Sequence, residues 1–406
     1  MAEIPPEARI LGLSRIAHQA YAGAELQPLF DTLSARVTAD PRDAAALFDL
    51  ATLLHIAGNP EGAAQARAAA LQLRRSFAVR HGDGSGPCLL ALMTPGDFMA
   101  NTPVDFLLEG SNVTLWLHHV DPVAETLADL PPHDAAILAI GEAPGHREIL
   151  ARLERLLPDY PGRMLNGAPA RIAALTRDGV AAMLADLPGV LCPPTVRAGR
   201  DALAPIAAGA PLSGLHPGLT WPLVVRPLGS HAGAGLEKIL DALHLADLLA
   251  ETETAAFFLA PFVDYRGRDG LFAKARVVLI DGKPYPSHYA LSSDWIVHYL
   301  SAGMAEEPAK RAAEQAWFES FDDGFARRHA AAFAAMQERI GLDYWGLDCA
   351  ETTDGRLLVF EVDTALIVHD MDDPQVFPYK PPAMRRLFQD FVSLVATLSS
   401  DRRTTA

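Results

Sequence analysis

Three carboxylates lie close together in a stretch that otherwise reads as an apolar hairpin. Asp348 lies in one β-prone run, and Glu361 and Asp363 lie in the next. The Asp354-Gly355 pair between the runs is typical of a two-residue turn, which would place Asp348 directly opposite Glu361. Asp363 would share the face of Glu361, because side chains alternate along a strand. Like charges placed opposite each other destabilise a sheet, so this arrangement needs a physical reason.

A divalent cation shared with a phosphorylated substrate would supply that reason. Mg²⁺ is usually held by one or two protein carboxylates together with phosphate oxygens. The alternative is that one of the two strands forms a sheet edge, where its acids are solvated. We favour the metal, because other parts of the chain suit phosphate binding.

Basic side chains that could face phosphates occur on two predicted strands. Lys274 and Arg276 alternate along one run, so they share a face and favour an anion or carboxylates beside them. Arg226 ends another apolar run, and its planar group of donors suits phosphate. The loop that follows it contains Gly229, Ser230, His231, Gly233 and Gly235. Glycines let backbone amides approach phosphate oxygens, although a structural ion-pair network and a flexible turn remain the alternatives.

The order of these motifs resembles that of the ATP-grasp superfamily of carboxylate–amine ligases, in particular glutathione synthetase and the ribosomal-protein glutamate ligases. The resemblance covers roughly residues 80–398 and rests on the succession of short motifs rather than on any single one. In chain order the motifs are Arg226 with its glycine loop, Ala260-Pro261-Phe262-Val263, Lys274-Ala275-Arg276, Asp281-Gly282, and Asp348 followed by Glu361-Val362-Asp363.

The resemblance implies a role for each motif. Arg226 and Arg177 would stand where the family has lysines that contact the nucleotide phosphates, and Lys274 would bind nucleotide with them. The loop from Gly229 to Gly235 would close over the phosphates. Arg276 would contact the γ-phosphate or the acyl phosphate. The backbone that reads the adenine edge would be that of Pro261, Phe262 and Val263, and the Mg²⁺ ligands would be Asp348, Glu361 and Asp363.

Two departures from the family pattern bear on activity. The last acidic motif of the family ends in asparagine, whereas this chain has Asp363, which adds a negative charge. Arginine also stands at both lysine positions, Arg177 and Arg226, which keeps the charge but changes the donor geometry. These departures leave open a relative that binds nucleotide without turnover.

The rest of the sequence predicts an α/β (α+β) chain in three parts. Residues 1–78 predict a helical module that resembles one tetratricopeptide unit, with a helix begun by Asp40-Pro41. A glycine-rich break at Gly82–Pro87 is followed by a small parallel α/β domain at 84–170. A two-lobed ATP-grasp domain would occupy 171–398, with a helical region over Pro308–Ile340, and residues 399–406 predict a frayed tail.

Composition limits the kinds of partner. The chain has 406 residues, of which 50% are hydrophobic, enough for two or three packed domains. A net charge of -16 argues against nucleic acid and anionic membrane surfaces as main partners. Three scattered cysteines show neither a disulfide framework nor zinc spacing, which suits a reducing cytoplasm. We expect neither a signal peptide nor a membrane span.

The function we expect is an ATP- and Mg²⁺-dependent ligase. It would activate a substrate carboxylate as an acyl phosphate and join it to an amine, with small molecules or peptides as substrates. Two alternatives stay open: a catalytically degenerate nucleotide-binding or scaffold protein, and a kinase that forms no amide. A protein partner for the N-terminal helices and a homodimer also stay open.

Overall fold

The computed structural model describes residues 4–97, 99–230 and 233–405. It is a mixed α/β protein, as predicted. Its described strands form two four-stranded sheets and one five-stranded sheet. Within this described part, no helix combines the length and the apolar composition needed to cross a membrane.

Four α-helices precede the first described strand in the sequence. They are α1 (Leu13–Tyr21), α2 (Gln27–Ala39), α3 (Ala44–Ile56) and α4 (Pro60–Leu73). The helix predicted to begin at Asp40-Pro41 begins instead after Asp43, whose carboxylate accepts a hydrogen bond from the Ala46 N–H. The Asp40 carboxylate accepts a hydrogen bond from the Arg42 N–H in the turn before the helix. Aspartate side chains make such local hydrogen bonds in turns as well as at helix N-termini.

The first sheet carries most of the predicted parallel strands. Its elements are β1 (Ser76–Arg80), β2 (Cys88–Met93), α5 (Val104–Leu107), β3 (Thr114–His119) and β4 (Ala135–Leu138), followed by α6 (Arg147–Leu156) and α7 (Pro169–Ala173). The strand order is β1-β3-β2-β4, with β2 parallel to both neighbours and β1 antiparallel to β3. The chain therefore enters this sheet before the predicted break at Gly82–Pro87. The strand predicted at Met164–Asn166 is reduced to an isolated bridge between Ile137 and Leu165.

The second sheet forms the lobe that carries the glycine-rich loop. The next elements along the chain, α8 (Arg177–Leu184) and β5 (Val190–Leu191), pack with the third sheet, and the lobe itself consists of β6 (Val196–Gly199), α9 (Arg200–Ala207), β7 (Leu223–Pro227), β8 (Glu237–Ile239), α10 (Ala242–Glu251) and β9 (Ala256–Pro261). The order β6-β9-β7-β8 is antiparallel throughout. Leucines of α9 and α10 pack on one face of this sheet and form its core.

The third sheet carries the predicted acids. Its elements are β10 (Phe272–Ile280), β11 (Lys283–Ser292), α11 (Pro308–Glu319), α12 (Ala330–Ile340), β12 (Tyr344–Glu351), β13 (Leu357–Asp363) and α13 (Lys380–Thr405). The order is β11-β10-β12-β13-β5, antiparallel except for β5 beside β13. The region 308–340 is thus divided into two α-helices with a short π-helix, Asp322–Ala326, between them, and α13 continues past residue 398, where we predicted a frayed tail.

The two hairpins of this sheet turn differently. Asp281-Gly282 forms the predicted two-residue turn, with Ile280 paired to Lys283 and both turn residues at positive φ. The loop between β12 and β13 has three residues rather than the predicted two, because the Thr352 N–H bonds to the carbonyl of Arg356. That shifts the pairing by one residue near the turn.

A bulge in the β12–β13 ladder reverses this shift. The register changes between Asp348 and Cys349, so Cys349 pairs with Val359 while Asp348 pairs with Glu361. The predicted pairing of Asp348 with Glu361 is therefore confirmed, although the predicted turn is wrong. Cys349 is fully buried in the core on the other side of the sheet, packed with residues of α12.

Candidate active site

Four ionisable side chains form a row across the third sheet. His288 of β11 pairs with Arg276 of β10, Arg276 pairs with Asp348 of β12, and Asp348 pairs with Glu361 of β13. Directly paired residues point to the same face, so the four side chains lie side by side. We call them the transverse row. Lys274, two residues from Arg276, lies on the same face.

Asp348 is the most tightly held member of the transverse row. Arg276 Nε lies 2.8 Å from Asp348 Oδ1, and Arg276 Nη2 lies 3.2 Å from Oδ2. Lys274 Nζ lies 3.0 Å from Oδ2. Burial alone would raise the pKa of Asp348, but Arg276 and Lys274 outweigh it and hold that pKa well below its usual range. Lys274 and Arg276 thus meet the acids, as the sequence predicted.

Two further arginines approach the acids from outside this sheet. Arg177, at the start of α8, forms an ion pair with Glu361. Burial would raise the pKa of Glu361, but Arg177 outweighs it and lowers that pKa. Arg226, on β7, donates from Nε to Ser230 Oγ at 3.0 Å and from Nη2 to the Ser230 carbonyl at 2.9 Å. Burial, and then the positive charge of Arg177, lower the pKa of Arg226 to about 10.

Asp363 is the acid that lacks a cationic partner of its own among the described contacts. It pairs across the strands with Gly346, and its Oδ1 accepts a hydrogen bond from the Ala365 N–H at 2.9 Å. Burial, opposed by that hydrogen bond and assisted by the charge of Glu361, raises the pKa of Asp363 to about 7. A positive charge beside this pair of carboxylates would therefore be favourable.

The glycine-rich loop joins β7 to β8 and reaches towards the third sheet. Gly229, Gly233 and Gly235 all have positive φ. A Cβ at Gly235 would lie 2.8 Å from Pro227 Cγ, whereas one at Gly233 would lie 3.9 Å from Ile296. The loop therefore approaches the segment after β11. His231, predicted as part of this loop, lies outside the described residues.

The predicted adenine-binding linker lies at the end of β9. Pro261 is the last residue of that strand, and the Phe262 N–H donates to the Pro222 carbonyl at 2.8 Å. The Phe262 ring packs edge-on against Trp295, and Val263 belongs to the same apolar cluster. Lys238, on the strand after the glycine loop, places its ammonium 3.6 Å from the centre of the Phe262 ring.

Lys238 was not among the predicted site residues. It pairs with Val224, two residues before Arg226, so Lys238 and Arg226 lie on the same face of the second sheet. Lys238 is the middle residue of the short run Glu237-Lys238-Ile239 just after the glycine loop, and a lysine at that position is the signal that could have identified it. Sequence reasoning also missed Lys380, for which we find no local signal.

The acids suit a hard cation by chemistry but do not form a ready-made cage. Within residues 4–97, 99–230 and 233–405, no group of three or more histidine, cysteine, aspartate or glutamate side chains is arranged to hold a metal ion. Asp348 and Glu361 are occupied by cationic side chains. Mg²⁺ requires only one or two protein carboxylates when phosphate oxygens complete its shell. Glu361 and Asp363 provide such a pair of oxygen donors, so the residues present fit Mg²⁺.

Comparisons with known proteins give a similarity of fold at low identity. Neither a protein-family model nor a curated protein matches the sequence. A RimK domain protein ATP-grasp from Sphaerobacter thermophilus is 17% identical, with 75% of this chain and 99% of that chain covered and a TM-score of 0.40. The D-alanine–D-alanine ligase from Bacillus anthracis, complexed with ATP, is 13% identical, with 79% and 99% covered and a TM-score of 0.44.

A third solved structure is similar to the same degree. The D-cycloserine synthetase DcsG is 17% identical to this chain, with 76% of this chain and 99% of that chain covered and a TM-score of 0.39. Identities and TM-scores of this size transfer no activity.

Proposed function

We propose that this chain is an ATP- and Mg²⁺-dependent ligase, which activates a carboxylate as an acyl phosphate and joins it to an amine. The observation that carries the proposal is the transverse row together with the arginines that face it. Arg276, Asp348 and Glu361 lie side by side on one sheet, Arg177 of α8 pairs with Glu361, and Arg226 belongs to β7 of the second sheet. A site that combines acids with arginines suits a metal-bound polyphosphate.

The cationic residues divide the work of holding the nucleotide. Arg226 and Arg177 would contact its phosphates, with the loop from Gly229 to Gly235 closing over them. Arg276 and Lys274 would face the transferring phosphoryl group, where negative charge must be stabilised. Lys238 and Phe262 would line the end of the nucleotide site away from the γ-phosphate. There the adenine ring would stack on an aromatic side chain and lie near the Lys238 ammonium.

The magnesium ion would be held by Glu361 and Asp363, because the carboxylate of Asp348, the third predicted ligand, is paired with Lys274 and Arg276. When bound, it would neutralise charge on the phosphoryl oxygens. Its arrival would also relieve the repulsion between Glu361 and Asp363. Asp348 would instead keep Arg276 and Lys274 in place.

The chemistry needs no protein nucleophile. A substrate carboxylate oxygen attacks the γ-phosphorus of ATP and ADP leaves, which gives the acyl phosphate. An amine nitrogen then attacks the acyl carbon, phosphate leaves, and the amine loses a proton to water. The buried thiol of Cys349 faces away from the row, in keeping with this route. Closure of the glycine loop would protect the intermediate from hydrolysis.

One observation favours a second candidate, a binding protein without turnover. Asp348 is already neutralised by Lys274 and Arg276, and Glu361 by Arg177. Such a self-compensated site is stable without a ligand. It could hold ATP weakly, or not at all, while the fold serves as a scaffold.

Calorimetry separates these possibilities. ATP is titrated with MgCl₂ into the wild type, Glu361→Ala and the matched control Glu307→Ala, which removes an exposed acid paired with Lys310. We expect the wild type and the control to bind and Glu361→Ala to lose most of its affinity. A wild type that fails to bind ATP would refute the proposal.

Turnover is then measured with a mixture of amino acids and short peptides. Phosphate release together with a new amide in the mass spectrum supports the ligase. Phosphate transfer without an amide would point to a kinase, the third possibility. Binding without any turnover would support the scaffold.

A further inference from the structure

A second cluster of charged side chains lies next to the transverse row and is enclosed by protein. Lys380, the first residue of α13, is 1% exposed. Its Nζ lies 2.8 Å from Asp372 Oδ2 and 3.3 Å from Glu314 Oε1, and it also donates to the Tyr299 hydroxyl. We call these four residues the Lys380 cluster. A buried ammonium is tolerated only when it is paired in this way.

The partners of Lys380 are themselves fixed by other hydrogen bonds. Glu314 is fully buried, and it accepts from the Tyr289 N–H at 3.1 Å and from the Tyr379 hydroxyl at 2.8 Å. The Lys380 ammonium also lies 3.9 Å from the centre of the Tyr299 ring. The Lys380 cluster is therefore a rigid anchor, in which each charged group has several partners.

The anchor is connected to the transverse row along two routes. Lys380 Nζ lies 3.5 Å from His288 Nδ1, and His288 is the cross-strand neighbour of Arg276. Arg276 Nη1 also donates to the Ile367 carbonyl at 3.1 Å. Ile367 and Asp372 both belong to residues 364–379, which join the acid-bearing strand β13 to α13 and which we call the connecting segment. Arg276 and Lys380 thus hold the same segment at two points.

Helix α1 reaches this segment from the far end of the sequence. The Tyr21 hydroxyl donates to Asp372 Oδ1 at 3.1 Å, and the Tyr21 ring centre lies 5.9 Å from that of His369. His18, one turn earlier, bonds to Glu109 at 2.9 Å. Asp372 therefore accepts from Lys380 on one side and from Tyr21 on the other.

We propose that Lys380 and Tyr21 are positioning residues of the candidate active site. They hold the connecting segment, and through it Arg276, at the His288 end of the transverse row, opposite the end where Arg177 pairs with Glu361. With the nucleotide phosphates at the Glu361 end, the His288 end would receive the carboxylate and the amine, and the N-terminal helices would serve the reaction of their own chain. The inference rests on the proposed ligase function and adds residues that lie outside the nucleotide cleft.

Hydrogen exchange on the full-length protein tests the anchor itself. In Tyr21→Phe, which removes only a hydroxyl from a half-exposed ring, amides of residues 364–379 should exchange about fivefold or more faster. The control Tyr160→Phe also removes a hydroxyl, one bonded to His133 in the first sheet's domain, and should leave the segment unchanged. Lys380→Met should have a larger effect than Tyr21→Phe. Unchanged exchange of the segment in Tyr21→Phe would overturn the proposal.

Kinetics distinguish a positioning role from a merely structural one. Phosphate release is followed with MgATP and an equimolar mixture of the twenty protein amino acids. In Tyr21→Phe the half-saturating amino-acid concentration should rise about fivefold or more, while that for ATP stays within about twofold. Equal changes in both, or none in either, would contradict the proposal. If the wild type binds no ATP the ligase assignment fails instead, and the exchange measurement still decides whether the anchor exists.

Discussion

Replacing Arg276 with methionine tests whether ion pairs hold the transverse row together. Arg276 makes two contacts with Asp348, at 2.8 and 3.2 Å, and a third with the Ile367 carbonyl at 3.1 Å. Asp348 is only 6% exposed, so its charge cannot be transferred to water without a rearrangement of the strands. Methionine keeps most of the volume but removes all three donors.

The size of the effect follows from these contacts. Removing one partner of a buried pair costs about 3–5 kcal/mol, because the other charge is left uncompensated. Lys274 remains 3.0 Å from Asp348 and compensates part of that charge. We therefore expect Arg276→Met to lower the free energy of unfolding by about 2–4 kcal/mol.

Urea unfolding near neutral pH measures this free energy. The matched control is Lys283→Met on the same hairpin, whose ammonium lies 2.8 Å from Asp390 with side chains 54% and 37% exposed. Such an exposed pair contributes about 0–1 kcal/mol. A double-mutant cycle with Asp348→Asn should give an interaction energy of about 1.5–3 kcal/mol between Arg276 and Asp348.

The result that would refute this reasoning is an Arg276→Met variant no less stable than Lys283→Met. In that case strand pairing alone aligns the row, and Asp348 tolerates the loss of its guanidinium partner. Asp348 would then be a poor anchor for the cations of the cleft. The proposed role of Arg276 at the phosphoryl group would have to be supported by kinetics alone.

Three further predictions concern the loop, pH and the N-terminal helices. Gly235→Ala should cost about 1–2 kcal/mol in urea unfolding, because φ is +65° and the new Cβ would lie 2.8 Å from Pro227; a stability equal to wild type would contradict this. The hydrogen bond that the His18 ring donates to the Glu109 carboxylate raises the pKa of His18 above its usual 6.5, so this contact stabilises the fold fully below pH 6.5 and is lost as pH rises through the raised value. Glu109→Gln should lower that pKa in an NMR titration, and an unchanged titration would rule the contact out. Asp43→Ala removes the side-chain cap of α3 and should lower the free energy of unfolding by about 1 kcal/mol, whereas Asp40→Ala should cost less.

Much of the third sheet could be predicted from patterns that involve only residues close together in the sequence. Asp281-Gly282 predicts its turn because both residues tolerate positive φ, and the structure has it there. Lys274 and Arg276 share a face because of strand alternation, and they meet Asp348 as expected. The cap of α3 was misplaced because Asp40 and Asp43 are equally good caps, and the turn between them decides which one is used.

Contacts between distant segments were beyond sequence reasoning. The Tyr21 hydroxyl meets Asp372, which lies 351 residues further along the chain. Nothing in the residues around Lys380 indicates that its ammonium is buried, because burial depends on how α13 packs against α11 and β11. The connection of the N-terminal helices to the site therefore required the three-dimensional structure.

The bulge between Asp348 and Cys349 has a consequence for recognising relatives of this chain. Near the turn the strands are offset by one residue from their pairing at the acids. The bulge cancels this offset, so an alignment anchored on Asp354-Gly355 in a relative with a two-residue turn would place Glu361 and Asp363 correctly without a gap. A sequence comparison would therefore retain the acids, but it would pair the residues between the bulge and the turn, such as Cys349 and Val359, one position out of register.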